Sequence, residues 1–512
     1  MTTTHARTDK DGVSVLIAIC MGALILPLSF SGGVIATPAI GRDLGGSPLA
    51  LTWITNAFML SFGSVLMAAG ALADAFGRKR LFAIGIAAFV LISIALGWAS
   101  DVIWLDVLRA MQGLAAAAAL SGGSAALAQE FEGKARMRAF SLLGTTFGVG
   151  LAFGPILAGL LIDRYGWRSI FLSGAIIGAL VLLLGIPRMR ESRDPNAAGL
   201  DWPGTLTFTG TLALFTWGVL QAPESGWSSP LVVALLTGAA LLLVAFIVVE
   251  QRVRRPMLDL SLFRYPSFVG VQMLPIATCY CYVVLLVLLP IRFIGIEGHN
   301  EIHAGMAMIA LSGPMLVVPS LAAFMTRWIS AGIVSSIGLL IAALGLFLLS
   351  RVGAEQPMHG AIVPMLVIGL GAGMPWGLMD GLSVSVVPKE RAGMATGIFS
   401  TTRVAGEGIA LAIVSALLAV LVQLSLSHSA DRMINGSAPI STVAQSLAIG
   451  DMPLAQTLLP GINQALLANA YAEAFCRVLY VLIVITLISS ITIFVFLGHS
   501  PQAQQGSDGE RC

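Results

Sequence analysis

Two acids and two arginines stand where this sequence has least room for charge. Asp380 follows MPWGLM, Glu407 follows RVAG, Arg403 lies one helical turn before Glu407, and Arg109 sits in LDVLRAMQG, residues 105–113. All four are embedded in apolar runs. Acids in such runs are costly to hold charged, so Asp380 and Glu407 are candidates for loading and releasing protons. The alternatives are a structural ion pair between Glu407 and Arg403, and a helix-end polar contact for Asp380. Arg109 must face protein or water, with Asp106 at i−3 and Gln112 at i+3 as its near neighbours, or else tie to backbone carbonyls and hold helices together. No nucleophile stands beside a base, and no metal-ligand spacing occurs within the apolar runs. GHNEIH, residues 298–303, has two histidines and an acid without the HExxH helix spacing, and reads as a loop or helix start. The chain is therefore not expected to be an enzyme, and no metal is expected.

A second concentration of charge is GALADAFGRKR, residues 70–80. Asp74 and Arg78 are four apart, the spacing of a helical ion pair. Arg78, Lys79 and Arg80 also mark an end that stays on one side of a bilayer. Further on, Gly144, Gly148, Gly150, Gly154 and Gly159 remove side chains from a helix. Pro155 deletes one hydrogen bond and bends it.

These residues need elements to position them, and the composition says which. Of 512 residues, 57% are hydrophobic and 11% charged, with a mean hydropathy of +0.90. This is a membrane protein by composition, and an all-α one is expected from its helix-length apolar runs. A net charge of +2 gives no case for a nucleic-acid partner. The five cysteines suggest neither a disulfide framework nor a metal site. Apolar runs of roughly 20 residues, enough to cross about 30 Å as helix, begin near Val13, Ala50, Leu81, Trp104, Met137, Arg168, Pro203, Pro230, Ser267, Ala304, Ala331, Ala361, Ala392 and Ala472. The first is long and lacks a small-residue cleavage site, so it is expected to remain as a helix and not to act as a signal peptide. Fourteen spans put both termini on one side, and the excess of Lys and Arg in the loops on that side makes it the cytoplasmic one.

PSLAAFMTR, residues 319–327, aligns without gaps on GALADAFGR, residues 70–78, and each ends the second helix of a six-helix set. A duplication is expected: an N-terminal six-helix bundle at 1–187, a linker with two additional helices at 188–266, and a C-terminal six-helix bundle at 267–512 with a long external loop at 424–471.

GALADAFGRKR resembles the motif between the second and third helices of the major facilitator superfamily. LDVLRAMQG resembles the buried-arginine motif of its fourth helix, and GLAFGPILAG, residues 150–159, the antiporter signature of its fifth. With fourteen spans and VPKERAGMATGIFSTTR, residues 387–403, the chain resembles the fourteen-span drug:proton antiporter branch. The resemblance covers nearly the whole chain except the tails and the external loop.

The resemblance implies alternating access in a bacterial cytoplasmic (inner) membrane, with the proton gradient as energy source and no cofactor. It implies a monomer in the lipid bilayer that exchanges small-molecule substrate for protons and can engage a periplasmic adaptor. Gly70, Asp74, Gly77 and Arg78 inherit a conformational latch; Gly150, Gly154, Pro155 and Gly159 the antiporter motif; Arg109 a part in proton coupling. Two departures stand out. Glu407 occupies a position usually small, and Ser29, in LSFSGGVIATP, stands where an acid is frequent, which disfavours dicationic cargo. Ser29, Asn56, Tyr280 and Trp376 are candidates to line a substrate cavity. The expected activity is proton-driven export of amphipathic compounds or drugs. The alternative is a dedicated exporter of one metabolite, such as a siderophore, sugar or amino-acid derivative.

Overall fold

The computed structural model describes residues 9–131, 133–193, 201–253, 260–352, 357–386, 392–430, 440–459 and 463–498. Residues 194–200 within the linker, 387–391 of the VPKER segment, parts of the external loop at 431–439 and 460–462, and both tails with Arg7 and Cys512 lie outside them.

The described residues form helices and no strand. They begin with α1 (Asp9–Leu44), α2 (Pro48–Phe76), α3 (Arg78–Leu96), α4 (Val102–Glu130), α5 (Gly133–Tyr165) and α6 (Arg168–Leu180). Next come α7 (Trp202–Ser225), α8 (Pro230–Arg252), α9 (Pro266–Thr278), α10 (Val284–Pro290), α11 (Glu301–Ser312) and α12 (Val318–Met325). The rest are α13 (Ala331–Ser350), α14 (Pro357–Ser385), α15 (Ala392–Ala430), α16 (Ile440–Ala448), α17 (Met452–Leu458) and α18 (Gln464–Leu497). Helix starts follow from local chemistry. Ser47 and Ser229 each accept a backbone N–H of the first turn while a proline follows at once, and the Asp101 carboxylate accepts from Trp104 N at 2.8 Å.

Among the described residues, twelve helices are long and apolar enough to cross a membrane, and α5 makes a thirteenth if its two arms are one span. The arms meet at 42°, one turn before Pro155, where the proline withholds a donor from the ladder. The fourteenth span expected near Pro203 coincides with α7. It has the length but not the hydropathy, because threonine stands at 205, 207, 209, 211 and 216.

Two compact units divide the chain. The first comprises Met1–Gln221, Gly226–Met257 and Asn300–Gly305; the second, Ala222–Ser225, Leu258–His299 and Met306–Cys512. In the first, α1 packs on α4, α5 and α6, α2 on α4, and α3 on α4 and α6. In the second, α9 packs on α14, α15 and α18, α12 on α14, and α13 on α14 and α18. One packing scheme is thus built twice. One close crossing is also repeated: a Cβ on Gly85 of α3 would lie 2.5 Å from Ala119 N, and one on Gly371 of α14 2.3 Å from Ala342 N. In the insert, α7 and α8 meet through Phe208 and Phe246, ring centroids 5.3 Å apart. Leu241, Leu243 and Val244 of α8 stay exposed, a face suited to hydrocarbon.

Candidate functional site: buried charge in two helical units

The first unit is organised around Arg109, which is fully buried. Its Nε donates to the Ile54 carbonyl at 2.9 Å, and Nη1 to Ser29 Oγ at 2.9 Å and to Gln112 Oε1 at 2.5 Å. Gln112 in turn donates to Ser93 Oγ at 2.8 Å. The Phe58 ring lies 4.4 Å below the guanidinium carbon. A Cβ on Gly33 would come within 2.9 Å of Nη2, so glycine there makes room for the head group. One side chain thus ties α1, α2 and α4 together through neutral oxygens. Asp106, one turn earlier, is within electrostatic reach, and its Oδ1 is buried without a hydrogen bond. Ser29 is a partner of Arg109 at this node. Asn56 of α2 is buried, with Nδ2 on Thr52 O at 3.0 Å and Oδ1 unpartnered.

At the α2–α3 junction Arg78 grips Asp74 Oδ1 through Nε at 3.0 Å and Nη2 at 2.8 Å. Gly77 joins the two helices at φ +115°, a conformation that L side chains rarely adopt, and a Cβ there would lie 2.5 Å from Glu191 Oε1. Glu191 is the residue that sequence reasoning missed. Its carboxylate accepts Lys79 N and Arg80 N, each at 3.2 Å, and so caps the positive end of α3. Arg78 N donates to Ser192 O at 2.9 Å and Lys79 Nζ to Met189 O at 2.7 Å. The carboxylate at the start of α3 is thus that of Glu191, from the linker segment, while Asp74 pairs with Arg78. Gly70 has open space where a Cβ would point.

Gly150 and Gly154 of α5 face α1. A Cβ on Gly150 would lie 2.3 Å from Pro27 Cγ and one on Gly154 2.9 Å from Ser31 Oγ. Gly159 meets the Glu301 carbonyl at the start of α11, in the part of that helix that groups with the first unit. There Asn300 Oδ1 accepts His303 N at 2.8 Å, a helix cap, so GHNEIH is indeed a helix start.

In the second unit Arg403 of α15 donates to Asp380 Oδ1 of α14 at 3.2 Å, with Asp380 half-exposed and Arg403 mostly covered. Glu407 is one turn further along α15, within electrostatic reach of Arg403 and of Cys279. Trp376 packs edge-on against Tyr282 at 6.0 Å, and the Tyr282 hydroxyl is buried without a partner. Tyr280, half-buried, shares the π-helical turn Cys279–Val283 with Tyr282.

A further charged pair escaped sequence reasoning. Arg292 Nε donates to Glu297 Oε1 at 2.7 Å, with both side chains nearly covered. A spacing of five puts two residues on different faces of an α-helix. Here Ile291–Ile296 is π-helical, Glu297 N bonds to Arg292 O at 2.9 Å, and the fifth residue returns to the same face. The only sequence signal was an arginine and a glutamate at the end of one apolar run.

The Major Facilitator Superfamily profile matches residues 18–411. Puromycin resistance protein pur8 of Streptomyces alboniger is 33% identical over 460 residues, covering 86% of this chain and 90% of that one. Multidrug resistance protein Stp of Mycobacterium tuberculosis (strain CDC 1551 / Oshkosh) is 31% identical over 429 residues, covering 83% and 79%. The tetracenomycin C resistance and export protein of Streptomyces glaucescens is 27% identical over 484 residues, covering 92% and 89%. Among solved structures, peptide transporter POT in complex with sulfate superposes with a TM-score of 0.62 at 12% identity, covering 96% of this chain and 100% of that one. The D-xylose-proton symporter gives 0.60 at 15% identity, covering 95% and 98%. At such identities these two likenesses speak for the fold. Profile and relatives together show the family: the chain belongs to the Major Facilitator Superfamily and is a multi-pass membrane transporter, not an enzyme.

Proposed function

We propose that this transporter is a proton-driven antiporter of the fourteen-span branch, exporting small amphipathic compounds across the bacterial cytoplasmic membrane. The names of the relatives, two for drug resistance and one for resistance and export, support the direction and the cargo class. The observation that carries the coupling is the charge set of the second unit: Asp380 holds Arg403 at 3.2 Å, and Glu407 waits one turn along the same helix. A proton on Asp380 frees the guanidinium, and Glu407 is the acid in reach of it. Proton loading from outside then displaces cargo, and proton release inside resets the pair.

In this reading α7 is the fourteenth span. Its 24 residues reach about 36 Å as helix, against about 30 Å of hydrocarbon. Its threonines do not prevent that, since Thr205, Thr207 and Thr211 each return the hydroxyl to a carbonyl four residues back at 2.7 Å. Both termini are then cytoplasmic. Asp74, Arg78 and Gly77 act as the latch of the α2–α3 junction, with Glu191 as its second carboxylate. Arg109 holds the first unit's helices together during coupling, and the α5 glycines let α5 slide on α1. Ser29, Asn56, Tyr280 and Trp376 contribute to cargo recognition. The protein works as a monomer and can engage a periplasmic adaptor.

Uptake into inverted membrane vesicles tests this with a panel of cationic, neutral and anionic compounds. An imposed pH gradient is expected to drive uptake of several of them. Glu407→Gln or Asp380→Asn is expected to abolish gradient-driven uptake with the protein still in the membrane. Wild-type uptake in both variants would remove these acids from coupling.

A second reading, a dedicated exporter of one metabolite, is favoured by the tetracenomycin C relative and by the serine at position 29. Protection of cells against a single compound class, and none against unrelated dyes, would support it.

A further inference from the structure

The Arg292–Glu297 pair is the strongest unexplained feature of the second unit. Glu297 lies just beyond the span Pro266–Ile296, yet its side chain is nearly covered. Arg292 takes one carboxylate oxygen. The other, Oε2, is buried without a hydrogen bond and has His299 Nε2 at 3.6 Å. On the far side the Arg292 guanidinium lies 4.9 Å from the Phe475 ring of α18. One turn earlier on α18, Tyr471 is fully buried, stacked on Phe475, with its hydroxyl unpartnered. Tyr471 is also within electrostatic reach of both Arg292 and Glu297.

The external loop roofs this cluster. Its described residues form α16 and α17, and the turn between them places Gly450 at φ +83° against the backbone of Gly295. A Cβ on Gly295 would lie 2.3 Å from Gly450 O, so the two backbones are in direct contact between Arg292 and Glu297. The loop and the end of this span are separated by four spans of the second unit and therefore share one side of the membrane. The charged and titratable groups facing Glu297 are Arg292 and His299 on its own segment and Tyr471 on α18. α16, which packs on the same segment, carries no ionisable side chain, and the Asp451 carboxylate is occupied in capping α17.

We propose that Glu297 is a proton-binding site on the side of the membrane opposite the C-terminus, roofed by the loop that holds α16 and α17 and balanced between Arg292 and the Tyr471–Phe475 pair of α18. Its carboxylate takes one proton from a hydronium ion, whose O–H bond breaks to leave water as one forms on Glu297, and the pair passes from neutral to a single positive charge held by Arg292 over the Phe475 ring. The proton gives the buried Oε2 a partner-seeking donor and removes the charge that anchors Arg292 to the π-helical turn. Burial already pushes the Glu297 carboxyl above the ordinary range although Arg292 opposes it. The site's use in export rests on the proton-driven reading above; its existence does not.

The test is a pH titration of the full-length protein in lipid, followed by infrared difference spectroscopy of the protonated-carboxyl C=O band. The probe is the proton itself. Glu297→Gln is expected to remove one titrating band. Arg292→Gln is expected to move that band's midpoint upward by roughly one pH unit or more. Tyr471→Phe, which keeps the ring and removes the hydroxyl, is expected to shift it without removing it. Identical spectra for wild type and Glu297→Gln, with both monodisperse and equally helical, would overturn the site. Gradient-driven uptake in the same samples separates the two claims. A band lost in Glu297→Gln with no wild-type dependence of uptake on the gradient would sustain the site and sink proton-driven export.

Discussion

Ser29 of α1 and Arg109 of α4 form one hydrogen-bonded node: Ser29 Oγ accepts from the guanidinium at 2.9 Å and donates to Gln112 Oε1 at 3.3 Å. An acid at position 29 would therefore meet Arg109 first and be neutralised by it. Ser29→Asp is expected to leave uptake of dicationic dyes unimproved. The same node makes Arg109 irreplaceable by lysine, because a single ammonium cannot serve Ile54 O, Ser29 Oγ and Gln112 Oε1 together. Buried acceptors left unpaired cost about 1–3 kcal/mol each. Arg109→Lys is expected to lower vesicle uptake roughly tenfold or more, and rates near wild type would show that the node is dispensable.

Asp380 and Arg403 form a pair whose acid is half-exposed. Such a pair adds little stability, about 1 kcal/mol or less. Asp380→Asn and Arg403→Gln should therefore shift thermal unfolding only slightly while changing how uptake depends on the pH gradient. Thermal unfolding in detergent together with gradient-driven uptake distinguishes this from a merely structural bridge. A large loss of stability with coupling intact would point to the bridge.

Gly77 and Gly70 belong to one motif but stand in unlike surroundings. Gly77→Ala forces a Cβ into a positive-φ site and against Glu191, at a cost of roughly 1–3 kcal/mol. Gly70→Ala places a methyl in open space on a helix, where alanine is favoured by up to about 1 kcal/mol. The expected result is a lowered melting temperature for Gly77→Ala and an unchanged or raised one for Gly70→Ala. Slowed uptake in Gly70→Ala without loss of stability would mark a position needed in another conformation of the cycle.

Glu297 also makes stability depend on pH. A carboxyl raised in the folded state binds its proton more tightly there than in the unfolded chain. Its stabilisation is present in full below the unfolded value of about 4.3 and is lost as pH rises through the raised folded value. Glu297→Gln removes this term. Relative to the variant, the wild type should lose stability between those two values, and parallel pH profiles of thermal unfolding would contradict this.

Much of the architecture was legible in the chain itself. Apolar run lengths, Ser-Pro and Asp helix starts, and the repeat of residues 70–78 at 319–327 are local or periodic signals, and the runs they mark fall on the twelve candidate spans among the described residues and on the bent α5. Hydropathy alone does not place α7 among them: threonines lower it, although the hydroxyls of Thr205, Thr207 and Thr211 return to the helix backbone. The charged residues were equally visible, because any ionisable group inside an apolar run stands out. Their partners were not. Arg403 reaches Asp380, which is 23 residues away; Glu191 reaches the start of α3, 112 residues back from it at Lys79.

The sequence by itself determined a duplicated set of membrane-spanning helices with buried charge, because transfer out of water acts on each residue where it stands. Only the tertiary structure decided that Arg109 rests on serine and glutamine oxygens, that Glu191 caps α3, and that a π-helical turn folds Arg292 onto Glu297. Pairing is a property of distance in space, and one extra residue in a helical turn is enough to change which side chains face each other.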